Sequence, residues 1–195
     1  MSKIKNVTVA GSGVLGFQIA FQTAIHGFET TVYDISDEVL EKAKAKFEGL
    51  AESHKKDLGA TEEQITKARE RLHYSSDLAF AVKDADLLIE AVPEDIKIKT
   101  EFYKQLSAIA PEKTIFVSNS STLLPSQFAE VTGRPAQYLN LHFANQIWLR
   151  NTAEIMPHPG TDEKITEEIV DFSKAIGMVP ILVKKEVPGY VLNSL

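Results

Sequence analysis

The chain contains no cysteine. That absence removes disulfides, thiolate nucleophiles and cysteine-ligated metal sites from consideration. No apolar run approaches the length needed to span a bilayer, and no basic block stands out against a net charge of −6. A membrane-spanning segment and nucleic-acid binding are therefore not expected, and no metal site is predicted. The start, Met1-Ser2-Lys3-Ile4-Lys5, leads directly into a strand pattern without a signal-peptide core. Together with the missing cysteines, this predicts a cytoplasmic location. What remains is ordinary: 44% hydrophobic and 25% charged residues over 195 positions suit one sizeable globular domain or two small ones.

The glycines are few but informative in one place. Gly11-Ser12-Gly13-Val14-Leu15-Gly16 follows the apolar run Asn6-Val7-Thr8-Val9-Ala10 and opens a helical pattern. The next apolar run, Thr31-Val32-Tyr33, ends on Asp34. Strand, glycine turn, helix, strand and acid in this order form a dinucleotide-binding unit. Gly11 permits the tight turn, Gly13 lets backbone approach a pyrophosphate, and Gly16 lets the helix pack on the strand. Val14 and Leu15 open that helix, whose free N–H groups and positive end attract the pyrophosphate. Asp34 suits hydrogen bonds from ribose hydroxyls and would repel a 2′-phosphate. No arginine stands beside it, so NAD is expected rather than NADP.

Periodicity predicts the rest of the frame. One helical pattern runs from Ser36 to about Leu58, with Leu40, Phe47, Leu50 and Leu58 on one face. Gly59 stops it, and Thr61 with Gln64 starts a second helix ending near Leu72. The two make a hairpin inserted between strands. Strands are expected at 86–92, 114–118, 138–142, 153–156 and 180–183, with helices at about 95–110 and 162–176. On the helix from Asp95, one apolar face is expected from Ile98, Phe102, Leu106 and Ile109. The alternation predicts a doubly wound α/β fold with a mostly parallel sheet.

Ligands bind such sheets beyond the carboxyl ends of the strands. Glu94, Ser121, His142 and Asn145 fall there. His142 ends the run Leu139-Asn140-Leu141, and a histidine titrates where proton transfer at neutral pH needs it to. Glu154 sits within an apolar strand, where a lone carboxylate is costly, so a partner is expected. His142 is the natural one, because a carboxylate would fix its tautomer.

Taken together, these residues resemble the NAD-binding domain of the L-3-hydroxyacyl-CoA dehydrogenase family. The motifs are GSGVLG at Gly11, VYD at Asp34, EAVPEDIKIK from Glu90, SNSST from Ser118, LHFAN from Leu141, AEIMPHP from Ala153 and PGYVLNSL from Pro188. The resemblance implies a Rossmann-type fold, NAD as cofactor, and interconversion of a (3S)-3-hydroxyacyl-CoA with a 3-oxoacyl-CoA. It implies His142 as general acid/base oriented by Glu154, with Ser121 bonding the substrate's 3-oxygen. Asn193 would help to hold the substrate carbonyl. Glu94 and Lys99 would lie by the nicotinamide end, and Asn145 would touch both cofactor and substrate. Ser53, Lys55 and Lys56 on the hairpin are implied contacts for coenzyme A.

Three departures from the family pattern bear on function. Gln146 replaces the usual proline after Asn145 and leads into Ile147-Trp148-Leu149-Arg150. Ser194 replaces the arginine that follows Asn193. The chain ends at Leu195, where the family continues into a helical domain. The expected division is residues 1–187 as NAD-binding domain and 188–195 as the start of a linker helix to a substrate and dimerisation domain. An intact homodimer with low activity in the fragment is the corresponding expectation. A sugar-acid (gulonate-type) or other hydroxyacid substrate, and a dinucleotide-binding module without turnover, stand as alternatives.

Overall fold

A computed structural model describes residues 3–190. Eight strands form one sheet: β1 (Asn6–Ala10), β2 (Glu29–Tyr33), β3 (Leu72–Ser75), β4 (Leu87–Glu90), β5 (Ile115–Ser118), β6 (Tyr138–Phe143), β7 (Thr152–Pro157) and β8 (Val179–Leu182). Their order is β3-β2-β1-β4-β5-β6-β7-β8. All neighbours are parallel except β6 and β7. The strand order reverses between β1 and β4, so a crevice opens at their carboxyl ends. Gly11 and Ala91 stand at its mouth, tied by the backbone bonds Gly11 N to Tyr33 O and Ala91 N to Ala10 O.

Among the described residues, seven α-helices cover the sheet: α1 (Val14–Ile25), α2 (Asp37–Lys44), α3 (Phe47–Leu58), α4 (Glu62–Arg71), α5 (Leu78–Val82), α6 (Ile96–Ile109) and α7 (Glu163–Ala175). Two large apolar clusters result, with a small third of Met156, Val183 and Tyr190. One joins Phe17, Phe21, Phe47, Ile65 and Phe172 to strand residues such as Val7, Val9 and Leu141. The other joins Leu78, Val82, Phe102, Tyr103 and Leu106 to Leu88 and Phe116. Strand side chains alternate between the two faces, which is why β1 and β4 contribute to both clusters. Each fully buried large side chain contributes about 1.5–3 kcal/mol.

The structure corrects the sequence reading in four places. The pattern from Ser36 to Leu58 is two helices, not one, with the chain turning at Ala45 and Lys46. The turn changes the phase, so the buried residues are Leu40, Ala43, Phe47, Ala51 and His54, and Leu58 is exposed. Residues 72–75 form strand β3, where only a helix end was expected, because pairing with β2 completes the edge of the sheet. Helix α5 was not anticipated; Asp77 caps it by accepting from Phe80 N. Helix α6 buries Lys99, Phe102, Tyr103 and Leu106 and exposes Ile98 and Ile109. Its face is rotated because Lys99 has an acidic partner inside. The hairpin of α3 and α4 is as expected, with Thr61 and Gln64 forming a reciprocal capping box.

Candidate functional site

The crevice begins at the glycine turn. Gly11 has φ +103, and a Cβ there would lie 2.4 Å from Ala91 O. A Cβ on Gly16 would lie 2.0 Å from Gly11 O. Both positions therefore demand glycine for packing. Gly13 differs: nothing lies within 4 Å of a Cβ built on it, so this glycine leaves open space above the turn. Helix α1 has no side-chain cap and no acid in its first turn. Its first N–H groups and positive end thus face that space without a competing side chain.

Two hollows extend from the turn. The larger, about 770 Å³, is lined by Gly11, Gly13, Asp34, Ile35, Lys46 and Ile98 among others. The smaller, about 220 Å³, is lined by Gly13 to Gly16, Ala91, Val92, Glu94, Lys99, Asn119 and Ser121. Asp34 is held in place at the first: its Oδ2 accepts from Ser12 N at 2.7 Å and from Ser12 Oγ at 2.6 Å. The second reaches Ser121.

His142 ends β6 and is 5% exposed. Its Nδ1 lies 2.9 Å from Glu154 Oε2, and its Nε2 lies 3.2 Å from Ser121 Oγ. A carboxylate only accepts, so Nδ1 carries a proton, and in the neutral imidazole Nε2 then presents its lone pair to Ser121. Glu154 is fully buried on β7. The expected His–Glu pair is therefore present as geometry, and Ser121 joins it.

The loop carrying Ser121 is organised by Glu94. Its Oε1 accepts from Ser120 Oγ, Ser121 N, Thr122 N, Thr122 Oγ and Leu123 N. Burial pushes this carboxyl up, but the Ser120 and Thr122 donors and the Lys99 ammonium outweigh it and hold it at about 2. Lys99 is itself buried, with Nζ 2.6 Å from Glu90 Oε1 and 3.4 Å from Glu94 Oε2. Glu90 also accepts from Tyr103 Oη and Ser118 Oγ, so one buried carboxylate joins α6 to β5. Lys99 reaches the smaller hollow from below but is tied into this network.

Asn145 lies beyond β6. Its Oδ1 accepts from Gln18 Nε2 at 2.8 Å, which fixes it against α1. Gln146 follows with φ +61, and its N donates to Gln18 Oε1 and Asn145 Oδ1. Trp148 then reaches the hairpin: its Nε1 donates to Asp57 at 2.9 Å, and its ring packs 5.3 Å from that of buried His54. On the hairpin, Lys55 is engaged by Glu52 at 3.0 Å and Glu62 at 2.6 Å, and Ser53 Oγ donates to Gly49 O. Lys56 is exposed. Asn193 lies outside the described residues.

The family model described as "3-hydroxyacyl-CoA dehydrogenase, NAD binding domain" matches residues 6–187. The chain belongs to this family. Human mitochondrial hydroxyacyl-coenzyme A dehydrogenase is 36% identical over 98% of the chain, which spans 62% of that protein. A solved diketoreductase, described by its catalysis on dicarbonyl compounds, is 56% identical with a TM-score of 0.97; the match covers all of this chain and 69% of that one. The (S)-3-hydroxybutyryl-CoA dehydrogenase of Ralstonia eutropha is 29% identical with a TM-score of 0.93, covering 99% of this chain and 68% of that one.

NAD is the cofactor of this family, and the residues present suit it. The open space above Gly13, the uncapped start of α1 and the acid at Asp34 are the features that a pyrophosphate and an adenosine ribose require. Three features of the site escaped sequence reasoning. Glu90 was read only as part of an apolar strand. Gln18, which braces Asn145, looks like any helix residue. Tyr190, whose ring stacks on His142, lies far along the chain, and only its place in the PGYVLNSL motif marked it.

Proposed function

We propose that this chain is the NAD-binding part of an oxidoreductase that interconverts a 3-hydroxyacyl-CoA and its 3-oxo form. The observation that carries this reading is the Ser121–His142–Glu154 constellation beside the smaller hollow. Gly11, Gly13, Val14, Leu15, Gly16 and Asp34 would hold NAD, which would supply the hydride acceptor. His142 Nε2 takes the hydroxyl proton of the substrate as C3 becomes a carbonyl. The imidazolium so formed has both N–H groups occupied, with Glu154 accepting from Nδ1, and the buried carboxylate stabilises its charge. The Ser121 hydroxyl bonds the same substrate oxygen. In the reverse direction His142 returns the proton. Glu94 holds the Ser121 loop, and Asn145, braced by Gln18, lines the way between cofactor and substrate. Asn193, with Ser53 and Lys56 on the hairpin, contacts the rest of the substrate.

A second reading keeps this chemistry on a dicarbonyl compound without coenzyme A. The likeness to the diketoreductase favours it, as do Lys55, already neutralised by Glu52 and Glu62, and the Trp148–Asp57 bond that closes the loop on the hairpin. A 3-oxoacyl thioester is itself a 1,3-dicarbonyl, so the reacting centre is common to both readings. NADH oxidation by the intact enzyme with acetoacetyl-CoA and with pentane-2,4-dione separates them. The first reading expects the thioester to be reduced with the higher kcat/KM. Preference for the free diketone selects the second, and reduction of neither leaves a binding module. A cytoplasmic, homodimeric parent enzyme completes the proposal; size-exclusion chromatography of that enzyme tests the dimer.

A further inference from the structure

His142 is held at two points, Glu154 on Nδ1 and Ser121 on Nε2. Bonds to ring nitrogens run in the plane of the imidazole. Those two bonds and the Cβ–Cγ bond all lie in the ring plane, so none of them bears on its faces, and the 3.2 Å contact to Ser121 leaves the ring room to tilt out of plane. Tyr190 blocks the motion. Its ring lies over the imidazole with centroids 4.6 Å apart and planes within 14°. Tyr190 is clamped in turn: its hydroxyl donates to Ser120 O at 2.8 Å and accepts from Asn140 Nδ2 at 2.9 Å. Ser120 immediately precedes Ser121, so one phenol steadies both members of the proton-transfer pair. The backbone supports the same view. Tyr190 has φ +54, a conformation that bulky residues rarely adopt, and it follows Gly189 at φ +83. Upstream, Glu186 anchors the segment by accepting from Ser126 N at 2.7 Å.

We propose that Tyr190 is a positioning residue for His142, its stacked face limiting the out-of-plane tilt that the ring's in-plane bonds resist least. The proposal rests on reading His142 as the general acid/base. Ring mobility tests it independently of turnover. The full chain is labelled at histidine Cε1, saturated with NAD, and the ¹³C relaxation of His142 is measured for the parent, Tyr190→Phe and Tyr190→Leu. The Leu variant is expected to show a more mobile imidazole, and the Phe variant, which keeps the stacked face, to recover most of the order. In turnover of acetoacetyl-CoA or pentane-2,4-dione by the intact enzyme, the Leu variant is expected to lose about tenfold or more in kcat, a cost in keeping with small misplacements of a reacting group. Its KM and its affinity for NAD should stay within about twofold. If the Leu variant does not fold, Tyr190→Met, which fills the volume with a flexible chain, replaces it. Unchanged ring mobility in a folded variant that binds NAD overturns the proposal. So does a joint loss of kcat, KM and NAD affinity, which marks a merely structural residue. If the intact enzyme turns over neither compound, the functional reading fails, while the relaxation data on the chain still decide what Tyr190 does.

Discussion

Glu154 stands directly opposite His142 across β6 and β7, and its Oε2 accepts from Nδ1 at 2.9 Å. Register creates this pair. A slip of one residue between the strands would carry Glu154 to the other face of the sheet. The antiparallel pairing is the departure from an otherwise parallel sheet, and it places a carboxylate from one strand beside an imidazole from its neighbour.

The pair predicts a graded loss of chemistry. In the intact enzyme, His142→Ala should lower the chemical step by about two to four orders of magnitude, the usual worth of a positioned general base. Glu154→Gln keeps the shape but loses the charge that supports the imidazolium, so its rate should also fall. Single-turnover hydride transfer reads both, and NAD affinity should hardly change. A near-normal rate in the His142 variant would reduce that residue to a satisfied core histidine.

Asp34 predicts cofactor choice. Its carboxylate is pinned by Ser12 at the mouth of the larger hollow, where a 2′-phosphate would meet a like charge. NAD should bind at least about tenfold more tightly than NADP, or about 1.4 kcal/mol. Lys42 and Lys46 line the same hollow. Removing the acid in Asp34→Ala should therefore narrow the preference by exposing a 2′-phosphate to two cations. Isothermal titration with both dinucleotides is the measurement, and equal affinities in the parent chain would remove Asp34 from this role.

Much of this arrangement was legible in the sequence, for physical reasons that can be named. The glycine turn announces itself because Gly11 and Gly16 allow contacts that no Cβ could share. The His142–Glu154 pair was inferable because an unpaired carboxylate inside a strand is costly. The rotated face of α6 was not legible: periodicity treats Lys99 as polar and exposed, and only the tertiary fold brings Glu90 within 2.6 Å of it. The break between α2 and α3 carries no proline or glycine. The stacking of Tyr190 on His142 depends on where the chain returns after β8, which no local pattern encodes.

The glycines separate folding from binding. Gly16→Ala forces a Cβ against Gly11 O, and nothing flexible can yield there. It should lower the melting temperature and weaken NAD binding together. Gly13→Ala meets nothing within 4 Å among the described residues, yet its methyl would enter the space assigned to the pyrophosphate. Its melting temperature without cofactor should stay near that of the parent while NAD affinity falls. Thermal melts with and without NAD distinguish the two. Undiminished affinity in Gly13→Ala would place the pyrophosphate elsewhere.

Glu94 predicts an acid-labile loop. Its carboxyl moves from an ordinary 4.5 to about 2 in the folded chain, because the donors of the 120–123 loop and Lys99 outweigh the cost of burial. A depressed carboxyl contributes stability that is complete above the unfolded value and is lost as pH falls through the folded one. The window here is therefore pH 4.5 down to about 2. Glu94 is partly exposed, so solvent screening reduces the nominal linkage to about 1–2 kcal/mol. Glu94→Gln retains an acceptor for the loop N–H groups but has no charge to titrate. Its unfolding free energy should be lower than the parent's at pH 7, and the gap should close as the pH approaches 2. Urea unfolding across this range measures both chains. Parallel curves would mean that the carboxylate contributes no charge-dependent stability, and that its charge does not hold the Ser121 loop.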